Sequence, residues 1–492
     1  WHRTARALAL TRCGPSYDPA HHPTRDPAPA CIAARPRHTG MRYSLAVTKI
    51  PAKKALVELL RMQGVEYVFG IPGATEIHFM DALEQAPDLQ YILALHEAVC
   101  VGMAEGYARV SGRPGFLNLH TGPGIAAGLP LLYNAYYGRV PLVVTVGQND
   151  SRLLQRDPHL SGDIVGTGRL YAKWATEVVH AEDIATVMRR AFKLAVQPPS
   201  GPVVVSLPQD VLLQECEADS RPAMTVYHRL RPDPQAVDVA LALLREATRP
   251  VLLVESGVAR SGAIDEVVRF AELIGARVYQ AWMADVNFPL DHPQYLGDLD
   301  PTSPTAREVF HQADLLIGVG CSLFAEGFFS PLASTPADLK VIHIDDDPWE
   351  LGKNLVTHCG LQGDIKTTLR ELNTAMEADF AQAGSITTRL RSVLDERAAL
   401  EARFSQACEE ARETVARRPE GPVPVAWLMS EIKGALVSVA REAIVVDECW
   451  SSSEALRHIV GFSKPGTYLR SRKGGSIGGG IPLALGAQLA AP

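Results

Sequence analysis

From residue 49 onward the chain alternates between two hydrophobic periods. Residues 52–63 carry apolar side chains at helical spacing, 67–70 form a short apolar run, and 75–85 return to the helical period. The pattern continues with strand 89–95, helix 97–110, strand 115–119, helix 124–137 and a near-continuous apolar strand over 140–147. Strands that are apolar throughout have no solvated face, so they predict a parallel sheet covered by helices on both sides. Segment 202–207 is the last strand expected of this unit, and a boundary falls after about Glu215.

A polar stretch at 217–232 leads into a second alternating unit, with strands expected at 250–255, 277–281, 315–319 and 340–345 and helices between them. Residues 387–417 form a long charged helical run with few aromatics, a connector packed on the surface. Pro419, Pro422 and Pro424 mark a second break, after which helix 425–437 and strand 442–446 open a third unit. The pattern therefore predicts an α/β protein of three doubly wound parallel-sheet domains, at 41–215, 231–372 and 422–492, with 373–421 as a helical linker. The helical pattern from Ile481 to Ala491 meets Pro492 without a following strand, so the third domain is expected to be truncated. Residues 1–40 have neither period and are expected to form an unstructured extension, with Met41 opening the patterned region. Pro19, Pro23, Pro27, Pro29 and Pro36 interrupt the amphipathic helix that a transit peptide would need.

Composition narrows the function. A length of 492 residues accommodates about three domains, and an apolar fraction of 47% excludes disorder of the whole chain. Net charge is −7, with no long Lys/Arg run beyond the first forty residues, so no electrostatic footprint for nucleic acid is present. Partners are expected to be small molecules or further copies of the chain. The eight cysteines are scattered, with no CxxC pair and no His at metal-ligand spacing, which points to a reducing cytoplasm. No apolar run approaches the roughly 18 to 20 residues that span a bilayer, so no membrane insertion is expected.

Four segments carry candidate chemistry. FGIPGATE, residues 69–76, places a Pro-Gly turn between a strand end and a helix start; Pro72 and Gly73 then leave backbone groups facing a ligand, unless this is an ordinary strand-to-helix turn. In LHEAVCVGMAEGYAR, residues 95–109, Glu97 sits where a strand becomes a helix, either as a helix N-terminal charge or as a buried acid. In LHTGPGIAAG, residues 119–128, His120 ends the next strand before a tight Gly-Pro-Gly turn. His120 and Glu97 are expected to end neighbouring strands and face one cavity. RKGGSIGGGIPLALGAQLAA, residues 472–491, puts five glycines before an Ala/Leu-rich helix, with Ile477 the only large side chain among them. A flexible linker would lack that helix, so the loop is expected to cradle a bulky ligand.

In this order, from about Lys49 to Pro492, these segments resemble the thiamine-diphosphate-dependent family that contains acetolactate synthase and benzoylformate decarboxylase. The resemblance implies pyrimidine-binding, central and diphosphate-binding domains. It implies that Glu97 hydrogen-bonds the aminopyrimidine of thiamine diphosphate, that Ile477 is the wedge beneath its bent rings, and that Gly475 and Ser476 offer backbone contacts to it. Ser451 and Ser452 would approach the diphosphate. The reaction implied is cleavage or ligation of the carbon–carbon bond beside the carbonyl of a 2-oxo acid, in a homodimer or homotetramer where Glu97 comes from one subunit and the glycine loop from another. The Mg2+ ligands of the family are expected beyond Pro492, so the truncated chain is expected to be inactive.

Two branches of the family compete. His120, GQNDSR (147–152) and LYAKW (170–174) look like benzoylformate decarboxylase, but Ala74 replaces its substrate-contacting serine and Gly327 its second histidine. VIHIDDDPWELGKN, residues 341–354, looks like acetolactate synthase, whose central domain binds FAD. Against FAD, GCSLFAEGFF (320–329) lacks the arginine of flavin-binding members, and Gly318-x-Gly320 continues to Leu323 rather than glycine. Trp450 stands where many relatives have threonine beside the diphosphate. The rival reading is a catalytically inactive nucleotide- or flavin-binding homologue; Glu97 kept together with Ile477 and the glycine loop argues for the enzyme.

Overall fold

The computed structural model describes residues 48–219, 221, 226–227, 229–281, 283–300, 303–324, 335–380, 384–439, 442–470 and 473–492. The extension 1–40, Gly327 and Arg472 lie outside the described residues.

The first unit contains β1 (Lys49–Pro51), β2 (Tyr67–Gly70), β3 (Gln90–Leu93), β4 (Gly115–Leu119), β5 (Leu142–Gln148), β6 (Trp174–Glu177), β7 (Val203–Pro208) and β8 (Glu215–Glu217). Strands β2 to β7 form one parallel sheet in the order β3-β2-β4-β5-β7-β6, while β1 and β8 pair antiparallel beside it. Neighbouring valines explain the continuous apolar run of β5. Val143 enters a core with Leu56, Phe79 and Met188 on one face, and Val144 enters a core with Val101, Ile125 and Leu131 on the other. Each such fully buried side chain contributes roughly 1.5 to 3 kcal/mol.

The second unit adds β9 (Pro250–Val254), β10 (Arg277–Ala281), β11 (Tyr295–Leu299), β12 (Leu315–Val319), β13 (Lys340–Asp345) and β14 (Cys359–Gln362), all parallel, in the order β11-β10-β9-β12-β13-β14. Counted from its own first strand this is the 3-2-1-4-5-6 order of doubly wound nucleotide-binding sheets. The long charged helix spans Gly384–Arg417 and lies along the β11 edge, where Arg397 Nη1 donates to the Tyr295 carbonyl at 2.7 Å. Beyond it, β15 (Val445–Asp447) and β16 (Tyr468–Arg470) form a two-stranded parallel sheet, followed by helix Gly480–Ala490.

Two features tie these parts together. Helix Glu97–Ser111 crosses helix Gly480–Ala490 so closely that a Cβ on Gly106 would collide with the Leu483 carbonyl and one on Gly486 with the Met103 carbonyl. Buried ions make the second tie. Arg109 pairs with Glu105 at 3.0 Å and with Asp285 of the second unit, and Asp285 also accepts the Arg470 amide of the third at 3.3 Å. Removing one member of such a group leaves a charge buried without its partner, which costs more than the pair contributes.

Candidate active site

In an open parallel sheet, ligands bind outside the carboxyl ends of the strands where the strand order reverses. In the first sheet that point lies between β2 and β4. Strand β2 ends at Gly70, and the chain turns through Pro72 and Gly73 into a 3-10 turn at Ala74–Glu76 before helix Ile77–Leu83. Strand β4 ends at Leu119, and His120 is the residue before helix Thr121–Tyr137. That helix starts three residues earlier than its period suggests. Thr121, fully buried, takes a left-handed φ of 50°, the kind of local strain that concentrates at functional sites.

The two strand ends meet through side chains. The His120 ring lies over Gly73, where a Cβ would collide with it, and His120 Nδ1 is 2.7 Å from Glu76 Oε2 and 3.1 Å from Thr75 Oγ1. Glu76 is 1% exposed and accepts from the Gly73 amide at 2.8 Å and from the Thr75 hydroxyl at 2.7 Å. From β5, Gly147 makes room for this carboxylate, since a Cβ there would collide with Glu76 Oε1. Sequence reading placed His120 and Gly73 here but missed Glu76. The available signal was an acid three residues after the turn glycine, together with Gly147 interrupting an otherwise bulky strand.

Glu97 begins the helix after β3, and the expectation that β3 and β4 are neighbours is corrected: β2 lies between them. The Glu97 helix connects β3 to β4 and carries the acid back toward the site. A Cβ on Gly124 would lie 3.6 Å from Glu97 Oε1 and 3.7 Å from His120 Cβ, and one on Gly128 would lie 3.9 Å from Glu97 Cβ. Glu97 and His120 therefore both approach one glycine at the head of helix Thr121–Tyr137. One turn along the Glu97 helix, burial and the Glu97 charge push the Cys100 thiol up to about 12.

The glycine loop lies elsewhere on the same chain. Asn134 Nδ2 donates to the Ser476 carbonyl at 2.8 Å, and the Ser476 amide donates to Asn134 Oδ1 at 2.9 Å, so the backbone groups expected to meet an aminopyrimidine are engaged within the chain. From Gly124 to Asn134 is ten residues, or ~15 Å of helix. Glu448 closes the other end of the loop, accepting from the Gly479 and Gly480 amides at 2.8 and 3.0 Å. Gly475 and Gly478 take φ of 81° and 90°, and a Cβ on either would meet nothing within 4 Å. Their backbone is open, and Ile477 beside them is 79% exposed. Ser451 is exposed and Ser452 stands at the N-terminus of helix Ser453–Val460, with Trp450 exposed beside them.

The second sheet's switch point, between β9 and β12, is filled by the chain itself. The Gly257 amide donates to the Gly320 carbonyl at 3.0 Å, and a Cβ on either glycine would collide with the other. Lys473, from the glycine loop, donates to Ser322 and lies 3.3 Å from Glu255 Oε1. Arg139 lies 2.8 Å from Asp347 and 3.0 Å from Glu350. The space left is about 10 Å³, room for one water. Among the described residues, no group of three or more His, Cys, Asp or Glu is arranged to hold a metal, and no helix is long and apolar enough to cross a membrane.

Two parallel sheets, an acid beside a histidine at one switch point and an open glycine cradle define a thiamine-type cofactor fold. Residues 51–166 match the family described as thiamine pyrophosphate enzyme, N-terminal TPP binding domain, and residues 237–372 match its central domain. The chain is 32% identical over 444 residues to benzoylformate decarboxylase of Pseudomonas aeruginosa, covering 89% of this chain and 78% of the relative. It is 30% identical over 474 residues to the acetolactate synthase large subunit of Corynebacterium glutamicum, covering 95% and 72%. The crystal structure of benzoylformate decarboxylase from Polynucleobacter necessarius superposes with a TM-score of 0.74 at 26% identity, covering 89% of this chain and 77% of that one. The chain belongs to the thiamine pyrophosphate enzymes, in the group that includes acetolactate synthase and benzoylformate decarboxylase.

Proposed function

We propose that this protein breaks or forms the carbon–carbon bond beside the carbonyl of a 2-oxo acid, as a thiamine-diphosphate-dependent decarboxylase or carboligase. The observation that carries the reading is that the Glu97 carboxylate and His120 both approach Gly124. When bound, thiamine diphosphate supplies the electron sink that accepts the charge left by the departing carboxylate. Glu97 holds a proton for the aminopyrimidine, a general acid–base role that needs a positioned carboxyl. Pro72 and Gly73 form the wall beneath His120, which faces the substrate. Gly475 and Ile477 would line the cradle, with Ser476 between them held by Asn134, and Ser451 and Ser452 would stand by the diphosphate and its Mg2+.

The functional unit is a homodimer or a homotetramer. Ile477, Ile481 and Leu485, spaced four residues apart, are 79%, 77% and 49% exposed, and Leu93 and Leu95 beside Glu97 are 66% and 99% exposed. Apolar patches of this kind mark surfaces covered by a partner. On one chain the loop is tied to Asn134, ten residues along the helix from the Gly124 that Glu97 approaches; a second copy would bring its cradle to this chain's Glu97. FAD does not fit the filled crevice at Gly257 and Gly320, which favours the benzoylformate-decarboxylase branch. Cys100, Cys216, Cys321, Cys359, Cys408 and Cys449 are free thiols, in keeping with a reducing cytoplasm.

The test is a panel of 2-oxo acids incubated with the cofactor-loaded protein, scored for carbon dioxide and for hydroxyketone products. In parallel, Glu97→Gln is expected to slow hydrogen exchange at C2 of bound thiamine diphosphate by orders of magnitude. An unchanged exchange rate removes Glu97 from its role.

A further inference from the structure

We infer that Glu76 is the positioning residue for His120, fixing the imidazole hydrogen on Nδ1 and leaving Nε2 as the nitrogen that exchanges protons. Glu76 receives two hydrogen bonds whose direction is settled: an amide N–H from Gly73 can only donate, and the single Thr75 hydroxyl hydrogen points to Oε1. With its hydrogen so committed, Thr75 Oγ1, 3.1 Å from His120 Nδ1, can only accept. Both oxygens within reach of Nδ1 are then acceptors, the nearer being Glu76 Oε2 at 2.7 Å. Nδ1 must carry the hydrogen, and in the neutral ring Nε2 keeps the lone pair.

A plainer role for Glu76 is to cap its own turn through the Gly73 amide. Capping alone does not explain its surroundings. A capping acid is ordinarily solvated, whereas Glu76 is 1% exposed, and a buried carboxylate needs donors on both oxygens. Two glycines from separate segments, Gly147 on β5 and Gly73 in the turn, leave room for the carboxylate and for the ring it holds. The arrangement matches a carboxylate that orients a histidine and stabilises the imidazolium formed when Nε2 takes a proton.

The working role of Nε2 rests on the site reading given above; the tautomer rests on hydrogen-bond geometry alone. The experiment is a two-bond 1H–15N correlation spectrum of the histidine-labelled protein at a pH where histidine is neutral, with His120 assigned from the His120→Asn spectrum. Wild type is expected to show Nδ1 protonated and Nε2 unprotonated, with a bias of about tenfold or more, as befits a hydrogen bond to a charged group. Glu76→Gln removes that bias. Gly147→Ala, which expels the carboxylate without deleting it, does the same. A wild-type His120 protonated on Nε2 overturns the inference, as does an unchanged tautomer in both folded variants. If neither variant folds, the wild-type spectrum decides. A protein that shows the Nδ1 tautomer but leaves every 2-oxo acid untouched keeps this inference and sinks the proposed activity.

Discussion

Asn134 binds Ser476 through both of that residue's backbone polar groups, across 342 positions of sequence. The amide side chain is 3% exposed and acts as a two-pronged clip, tying a glycine-rich loop to the middle of a helix. Glycines lose more conformational freedom on ordering than any other residue, so such a loop needs fixed points to hold a shape.

Asn134→Ala removes this clip and leaves both Ser476 groups without their partner. Each neutral hydrogen bond contributes roughly 0.5 to 1.5 kcal/mol, so a loss of about 1 to 3 kcal/mol in urea unfolding is expected. Amide exchange at Ser476 should accelerate by a similar factor. Unchanged protection at Ser476 would show that the clip is not what orders the loop.

Gly486→Ala tests the helix crossing. Alanine is intrinsically the better helix residue by about 0.5 to 1 kcal/mol, but its Cβ would collide with the Met103 carbonyl. Overpacking typically costs about 1 to 3 kcal/mol, so the collision should win and thermal unfolding should come at lower temperature. A stabilised variant would mean the two helices are not in backbone contact.

Acid should weaken the contact between the second and third units through His458. Its ring stacks on Phe404 at 4.4 Å and packs against Gly297, and burial together with the charges of Arg457, Arg397 and Arg403 pulls its pKa from 6.5 to about 3. The folded chain thus keeps the ring neutral while the unfolded chain protonates it. The resulting stability is complete above pH 6.5 and is lost as pH falls toward 3, amounting to about 2 kcal/mol by pH 5. His458→Phe should flatten this part of the stability–pH curve, measured by urea midpoints at pH 7 and pH 5. Parallel curves for the two proteins would assign the acid sensitivity elsewhere.

Titrating the protein with FAD should leave flavin fluorescence unchanged, because Lys473 and Arg139 fill the crevice of the second sheet. A stoichiometric complex would require these ion pairs to open and would overturn the filled-crevice reading.

The central strands were legible in the sequence because they are buried on both faces. Val143 and Val144 point to opposite cores, as do Leu252 and Leu253, so the residue pattern is apolar without interruption. Six strands escaped notice: β1, β6, β8, β11, β14 and β16, each at the edge of its sheet. An edge strand is covered on fewer sides; Cys359–Gln362 alternates buried and exposed and is too short for its period to stand out. At the site, Glu97, His120 and Gly73 announced themselves through strand ends and turn glycines. Glu76 and Asn134 did not, because their partners lie 44 and 342 positions away and no local pattern encodes that meeting.

The backbone contact between the Glu97 helix and the helix after the glycine loop has a mechanical consequence. In the proposed dimer, those two helices of one chain serve two different catalytic centres, the first by its acid and the second by its cradle. Joined glycine to carbonyl at Gly106 and Gly486, they form a single stiff beam. A shift of the cradle in one centre would then press on the acid of the other, so the two reaction sites share a moving part.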